Sequence, residues 1–175
     1  DKETGHVLLK GINDTGAATR IDLEVRAVRV TGDDRILHSH RHRIGPDAAE
    51  VLASLPAAEL GEDEFLFFSW TGEDGRLLGE NDFFPKAYKY YDIPHADVSA
   101  RWSIEDGRPV LKLSADRPAL FVTATVDVPG HFSDNAVTLL PGRKARLTFT
   151  PRKGTAPAIP ALASGLKVRH LRDTF

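Results

Sequence analysis

The sequence predicts an all-β chain made of two tandem immunoglobulin-like antiparallel β-sandwiches. Three observations lead there. Apolar and polar residues alternate with a period of two in several stretches, most clearly Thr19–Val30 and Lys144–Phe149, and that period buries one face of a strand while wetting the other. Turn-forming clusters punctuate the alternation at short intervals: Asn13-Asp14-Thr15-Gly16, Gly32-Asp33-Asp34, Gly72-Glu73-Asp74-Gly75 and Pro141-Gly142. No strong amphipathic helix is visible anywhere in the chain.

In the first half, His6–Ile12 is a short apolar run closed by a turn. In Thr19–Val30, Ile21, Leu23, Val25 and Ala27 share one face while Asp22, Glu24 and Arg26 share the other. Arg35–Ile44 returns as the second arm of a hairpin. Ala48–Leu55 suits either helix or strand by composition; Val51, Ala53 and Leu55 alternate, the sandwich context favours a strand, and Pro56 stops it. Phe65–Trp70 is a dense apolar run, as expected of a strand buried on both faces, and Arg76–Phe84 pairs back onto it. The expectation is about seven strands before residue 85, the spacing of an immunoglobulin-like sandwich.

Residues 85–92 form a proline-framed linker, with Tyr88, Tyr90 and Tyr91 interleaved by Lys86 and Lys89. Proline biases its predecessor towards extended geometry, so a stiff joint is expected, dividing the chain into sandwiches at 1–92 and 93–175. In the second half, Val98, Ala100, Trp102 and Ile104 alternate, Val110–Leu113 returns, and Leu120, Val122, Ala124, Val126 and Val128 read as one continuous apolar face. Ser133, Asp134 and Asn135 form a turn. Val137–Leu140 and Ala145–Phe149 follow as strands, Thr155–Ser164 reads as an Ala- and Pro-rich loop, and Leu166–Leu171 closes as a strand.

Composition narrows the function classes. The chain has 175 residues, 23 basic and 25 acidic, so no field of one sign is available for nucleic acid or an anionic membrane surface. There are no cysteines, which excludes disulfides, thiol nucleophiles and thiolate metal sites. No apolar run approaches the roughly 20 residues that span a bilayer. The chain begins at Asp1 without methionine or leader, as a fragment or processed piece would, and the compartment is left open.

Three stretches carry a family resemblance. FSDNAVTLLPG, residues 132–142, leads into an alternating strand ending TFTP; GENDFFPKAYKYYDIPHADV spans Gly79–Val98; and LKVRHLRDTF spans Leu166–Phe175. Together they resemble the C-terminal immunoglobulin-like domains of β-mannosidases of glycoside hydrolase family 2. The resemblance implies a parent enzyme that cleaves terminal β-linked mannose with retention, using two glutamates on a separate (β/α)8 barrel of about 250 residues. Such a barrel cannot fit in this chain, so no catalytic residue is carried over. The resemblance implies instead a partner, the parent's catalytic barrel, against which these domains pack.

Among local candidates, His38, His40 and His42 alternate on one strand and could share a face, a pattern that binds zinc in some enzymes. Alternate strand positions lie nearly 7 Å apart and converge poorly, so the expectation is a polar face with Ile36 and Ile44 at its buried ends and no metal. The acids Glu59, Glu62, Asp63, Glu64, Glu73, Asp74, Glu80 and Asp82 fall mostly in turns, where solvation explains them. Trp70 and Trp102 are expected to pack in cores. Tyr88, Tyr90 and Tyr91, with His131, Asp134 and Asn135, are the candidate ligand or interface residues, and carbohydrate is the candidate ligand. No cofactor is expected. A free-standing carbohydrate-binding or adhesive module is the competing reading.

Overall fold

Alternating sequence becomes a strand where one of its faces can be covered, and the computed structural model shows this happening twice. It describes residues 1, 3–154 and 158–175. The chain divides into two units, Asp1–Asp92 and Ile93–Phe175, each with its own interior.

In the first unit the strands are β1 (His6–Asn13), β2 (Thr19–Arg29), β3 (Asp34–Ile44), β4 (Ala48–Pro56), β5 (Glu64–Thr71) and β6 (Leu77–Phe83). Among the described residues there are six, where about seven were expected, and the segment after Pro56, Ala57–Glu59, is a single 3-10 turn. All pairing is antiparallel. One sheet runs β3-β2-β5-β6 and the other is the pair β1-β4. Between them, Leu23 and Val25 of β2 and Leu66 of β5 meet Ala53 and Leu55 of β4. Phe65 and Phe67 are buried on the opposite face of β5, so that strand is covered on both sides, as its apolar run requires.

One strand departs from the expected alternation. Between β2 and β3 the register slips: Val25 pairs with His38 and Arg26 with Ile36, leaving Leu37 as an extra residue. The bulge lets Leu37 pack against the core and turns Ile36 outward, 53% exposed, whereas Ile44 is buried as expected.

The second unit contains β7 (Val98–Glu105), β8 (Arg108–Ala115), β9 (Ala119–Thr125), β10 (Gly130–Phe132), β11 (Val137–Leu139), β12 (Ala145–Pro151), the helix α1 (Ile159–Ser164) and β13 (Lys167–Arg169). A four-stranded sheet β10-β12-β8-β7 faces a three-stranded sheet β11-β9-β13, the seven-strand immunoglobulin-like arrangement. Leu111, Leu113 and Leu147 from the first sheet pack against Val122, Ala124 and Leu139 from the second, with Trp102 against their edge.

Two expectations in this unit are corrected. β9 ends at Thr125, so Val126 and Val128 lie beyond the strand despite continuing its alternation. Inside β9, Phe121 has φ +52° at a register slip between Val137↔Val122 and Leu139↔Ala119; the bulge buries Ala119 and Leu120 together. Part of the expected Ala/Pro loop is the helix Ile159–Ser164. Proline in its first turn suits a helix start, and the buried Leu162 anchors it. Thr155, Ala156 and Pro157 of that expected loop lie outside the described residues.

The acids also divide. Glu64, expected in a solvated turn, is buried at the start of β5. It accepts the Gly61 N–H at 2.9 Å and the Arg35 guanidinium at 2.9 Å. Burial pushes its carboxyl up, but the Gly61 bond and the Arg35 and Arg29 charges outweigh that and hold it below its usual range. Such a group contributes stability above its unfolded pKa, near 4.5, and loses it as pH falls through the lower folded value. Glu64→Gln is therefore expected to cost about 1–3 kcal/mol at neutral pH. Urea unfolding from pH 7 to 3 should show the deficit of the variant shrinking as the medium turns acid.

Candidate functional site

The loop after β10 moves the chain from one sheet of the second unit to the other in four residues, 133–136. Gly130 opens β10 where a side chain would meet the Phe149 ring at 2.3 Å and the Thr150 carbonyl at 2.6 Å. The rungs run Gly130↔Pro151, His131↔Thr150 and Phe132↔Phe149. One rung further, Ser133 N–H still donates to the Thr148 carbonyl at 2.8 Å. The return bond comes from the side chain: the Thr148 N–H donates to Ser133 Oγ at 3.0 Å.

Asn135 does the same on the opposite sheet. β11 pairs with β9 at Val137↔Val122, so Asn135 and Ala124 would be the next alternate rung. The backbone has already turned away, and the Asn135 amide takes its place. Its Oδ1 accepts the Ala124 N–H at 2.9 Å and its Nδ2 donates to the Ala124 carbonyl at 3.1 Å. A primary amide carries one acceptor and two donors on one plane, so it can copy a strand rung. Asp134 Oδ1 accepts the Asn135 N–H at 2.7 Å, and Ala136 at φ +59° completes the corner. Ser133 and Asn135 thus bind the two sheets to each other, and His131 stands exposed on the edge strand beside them.

In the first unit two of the three tyrosines, Tyr88 and Tyr91, pack on one ring. Phe84 stacks on Phe65 with centroids 4.4 Å apart and meets Tyr88 and Tyr91 edge-on at 4.7 and 5.3 Å. The expected stiff linker contains a 3-10 turn, Tyr88–Tyr90. Tyr91 is buried, its hydroxyl donating to the Glu64 carbonyl at 3.2 Å, and Lys86 Nζ lies 4.5 Å from its ring centre. Tyr88 is half-buried. Burial raises both phenol pKa values, helped at Tyr88 by the Asp82 charge and opposed at Tyr91 by a bond from the Lys86 backbone. Tyr90 is 63% exposed, with Lys89 over its ring.

The three strand histidines do converge. His38 Nε2 and His42 Nε2 share a hydrogen bond at 3.1 Å, and the His38 ring lies 4.7 Å from that of His40. Their β2 partners are the buried Val25, Leu23 and Ile21, so the imidazoles extend the inner face rather than a polar one. Burial lowers the His38 pKa, and the neighbouring His40 and His42 lower it further.

The groove between the sheets of the first unit, about 530 Å³, is lined by Leu8, Ile21, Phe68, Trp70 and Leu78 among others, with Asn81 at its edge and no carboxylate. Nothing in it can supply the acid pair that glycoside hydrolysis needs. Trp70 and Trp102 pack against the two cores, as their sequence positions indicated.

Comparison with known proteins places these features. The family model Ig_mannosidase, an Ig-fold domain, matches residues 93–174; the second unit is an Ig-fold domain of that type. Among solved structures, the chain is similar to a β-D-mannosidase from Dictyoglomus thermophilum, with a TM-score of 0.82 at 22% identity, over 95% of this chain and 20% of that one. It is also similar to the exo-chitosanase CsxA of Amycolatopsis orientalis, with a TM-score of 0.63 at 16% identity, over 95% of this chain and 25% of that one. These likenesses show the fold, and the chain spans about a fifth to a quarter of either relative. No curated protein matches the sequence.

Asn135→Ala removes both bonds to Ala124 and is expected to destabilise the second unit by about 1–3 kcal/mol. Asn135→Asp keeps an acceptor for the Ala124 N–H and sets a carboxylate against the Ala124 carbonyl, so it should recover only part of the loss. Chemical denaturation of the three proteins checks the order.

Proposed function

We propose that this chain is the non-catalytic C-terminal region of a β-mannosidase-like hydrolase of glycoside hydrolase family 2. Its two sandwiches pack against and support a catalytic barrel carried elsewhere in the parent polypeptide. The parent hydrolyses terminal β-D-mannosides with retention. The observation that carries this reading is the match of residues 93–174 to the mannosidase Ig-fold family. The alignment of nearly the whole chain with a fifth of a β-D-mannosidase supports it, leaving most of such a polypeptide to hold the catalytic machinery.

The surface of the first unit supports a packing role. Leu77, Leu78 and Phe83 on β6 and Ile12 on β1 are 52%, 43%, 41% and 69% exposed. Both strands are sheet edges, and exposed apolar side chains beside unpaired edges are what a covering partner satisfies. The tyrosines support a binding module less well. A flat sugar platform needs exposed rings side by side, and of the three only Tyr90 is freely exposed while Tyr91 is buried.

The isolated chain is expected to show no hydrolysis of a chromogenic β-mannoside above the buffer rate, and no binding on an array of mannans and other β-glycans. Turnover by the chain alone would refute the supporting role. Specific glycan binding without turnover would favour the binding module.

A further inference from the structure

We infer that His95, His170 and Asp173 of the second unit form a binding site for a zinc-like divalent cation, which clips the first residues of that unit to its C-terminal turn. One ligand atom from each of the three lies within 4.8 Å of the others. His95 Nε2 is 3.4 Å and His170 Nε2 is 3.5 Å from the same oxygen, Asp173 Oδ1. A tetrahedral zinc ion with bonds of about 2.0–2.1 Å holds neighbouring ligand atoms about 3.3 Å apart, so those two spacings need almost no adjustment. Two imidazoles and a carboxylate suit zinc and similar transition ions better than calcium or magnesium, which prefer all-oxygen shells.

The surroundings hold these groups in place. His170 is buried and precedes the 3-10 turn Leu171–Thr174, where it and Asp173 cap each other reciprocally. The His170 N–H donates to Asp173 Oδ2 at 2.9 Å, so one carboxylate oxygen is held by backbone and the other is presented to both rings. That orienting bond is the kind of outer support that metal-binding carboxylates use. His170 must present a lone pair at Nε2, which moves its ring proton to the other nitrogen. The Asp173 N–H that the ring accepts keeps a second acceptor, the His170 carbonyl at 3.0 Å, but the ring's half of the capping box is given up, so metal binding is set against that bond. His95 is largely exposed and meets the His170 ring edge-on at 5.1 Å, which leaves the cluster reachable from solvent.

The three groups sit near opposite ends of the unit's sequence, so an ion shared among them closes a long loop, and binding to the folded form alone stabilises that form. The test is calorimetric titration of Zn²⁺ into the metal-free chain, with thermal unfolding followed in parallel. The expected result is one zinc equivalent bound in the micromolar range with a raised melting temperature. His95→Gln, at an exposed position where folding is not at risk, should weaken that equivalent by at least about tenfold. Asp173→Asn should do the same, and His38→Gln should leave it unchanged. Binding no tighter than about millimolar, or wild-type affinity in His95→Gln, would overturn the site. Loss of the zinc in His38→Gln alone would assign it to the strand histidines and overturn it equally.

Discussion

The second unit depends on a constraint that every two-sheet domain meets: the chain must cross from one sheet to the other without stranding the backbone groups it leaves behind. Strand pairs satisfy each other until the chain turns, and an unpaired buried N–H or carbonyl costs as much as a lost hydrogen bond. Here the crossing takes residues 133–136, and side chains complete the ladders that the backbone abandons, Ser133 against Thr148 and Asn135 against Ala124. The apolar contact between Leu111, Leu113 and Leu147 on one side and Val122, Ala124 and Leu139 on the other requires the sheets to keep their register. The corner sets that register at one edge of the sandwich.

The same corner shows what the fold asks of the stretch that carries the family resemblance. Serine, aspartate and asparagine in sequence read as polar loop residues available to a ligand, yet Ser133 and Asn135 bond the backbone of neighbouring strands and Asp134 accepts the Asn135 N–H within the loop. A similar inversion occurs at Tyr91, whose ring is spent against Phe84 and whose hydroxyl is spent on the Glu64 carbonyl. Polar and aromatic residues in a loop can serve the fold as fully as a buried leucine does, and the supporting role proposed for the chain is consistent with that use of them.

Much of the fold was legible in the residues. The alternation of Ile21, Leu23, Val25 and Ala27 became β2, the apolar run Phe65–Trp70 became a strand covered on both faces, and the strand expected at Ala48–Leu55 formed. The departures have local physical causes. A single inserted residue at Leu37 reversed the faces around it, and a period-two pattern gives no sign of a bulge. Val126 and Val128 continue the pattern of β9 after the strand has ended. A six-residue helix is too short to show a 3.6-residue period, and only Pro160 and the buried Leu162 mark it. The site was less legible because its logic is three-dimensional: His95 lies 75 positions before His170, and the pairing of Asn135 with Ala124 is visible only once the register of β9 and β11 is known.

Side chains stand in for backbone at the Ser133–Asn135 corner, and amide hydrogen exchange measures that substitution bond by bond. The Ala124 and Thr148 amides, whose acceptors are Asn135 Oδ1 and Ser133 Oγ, should exchange as slowly as those within the β8–β12 ladder. Exchange at the rate of exposed loop amides would mean that the corner does not hold the sheets, and would contradict the structural role assigned to it.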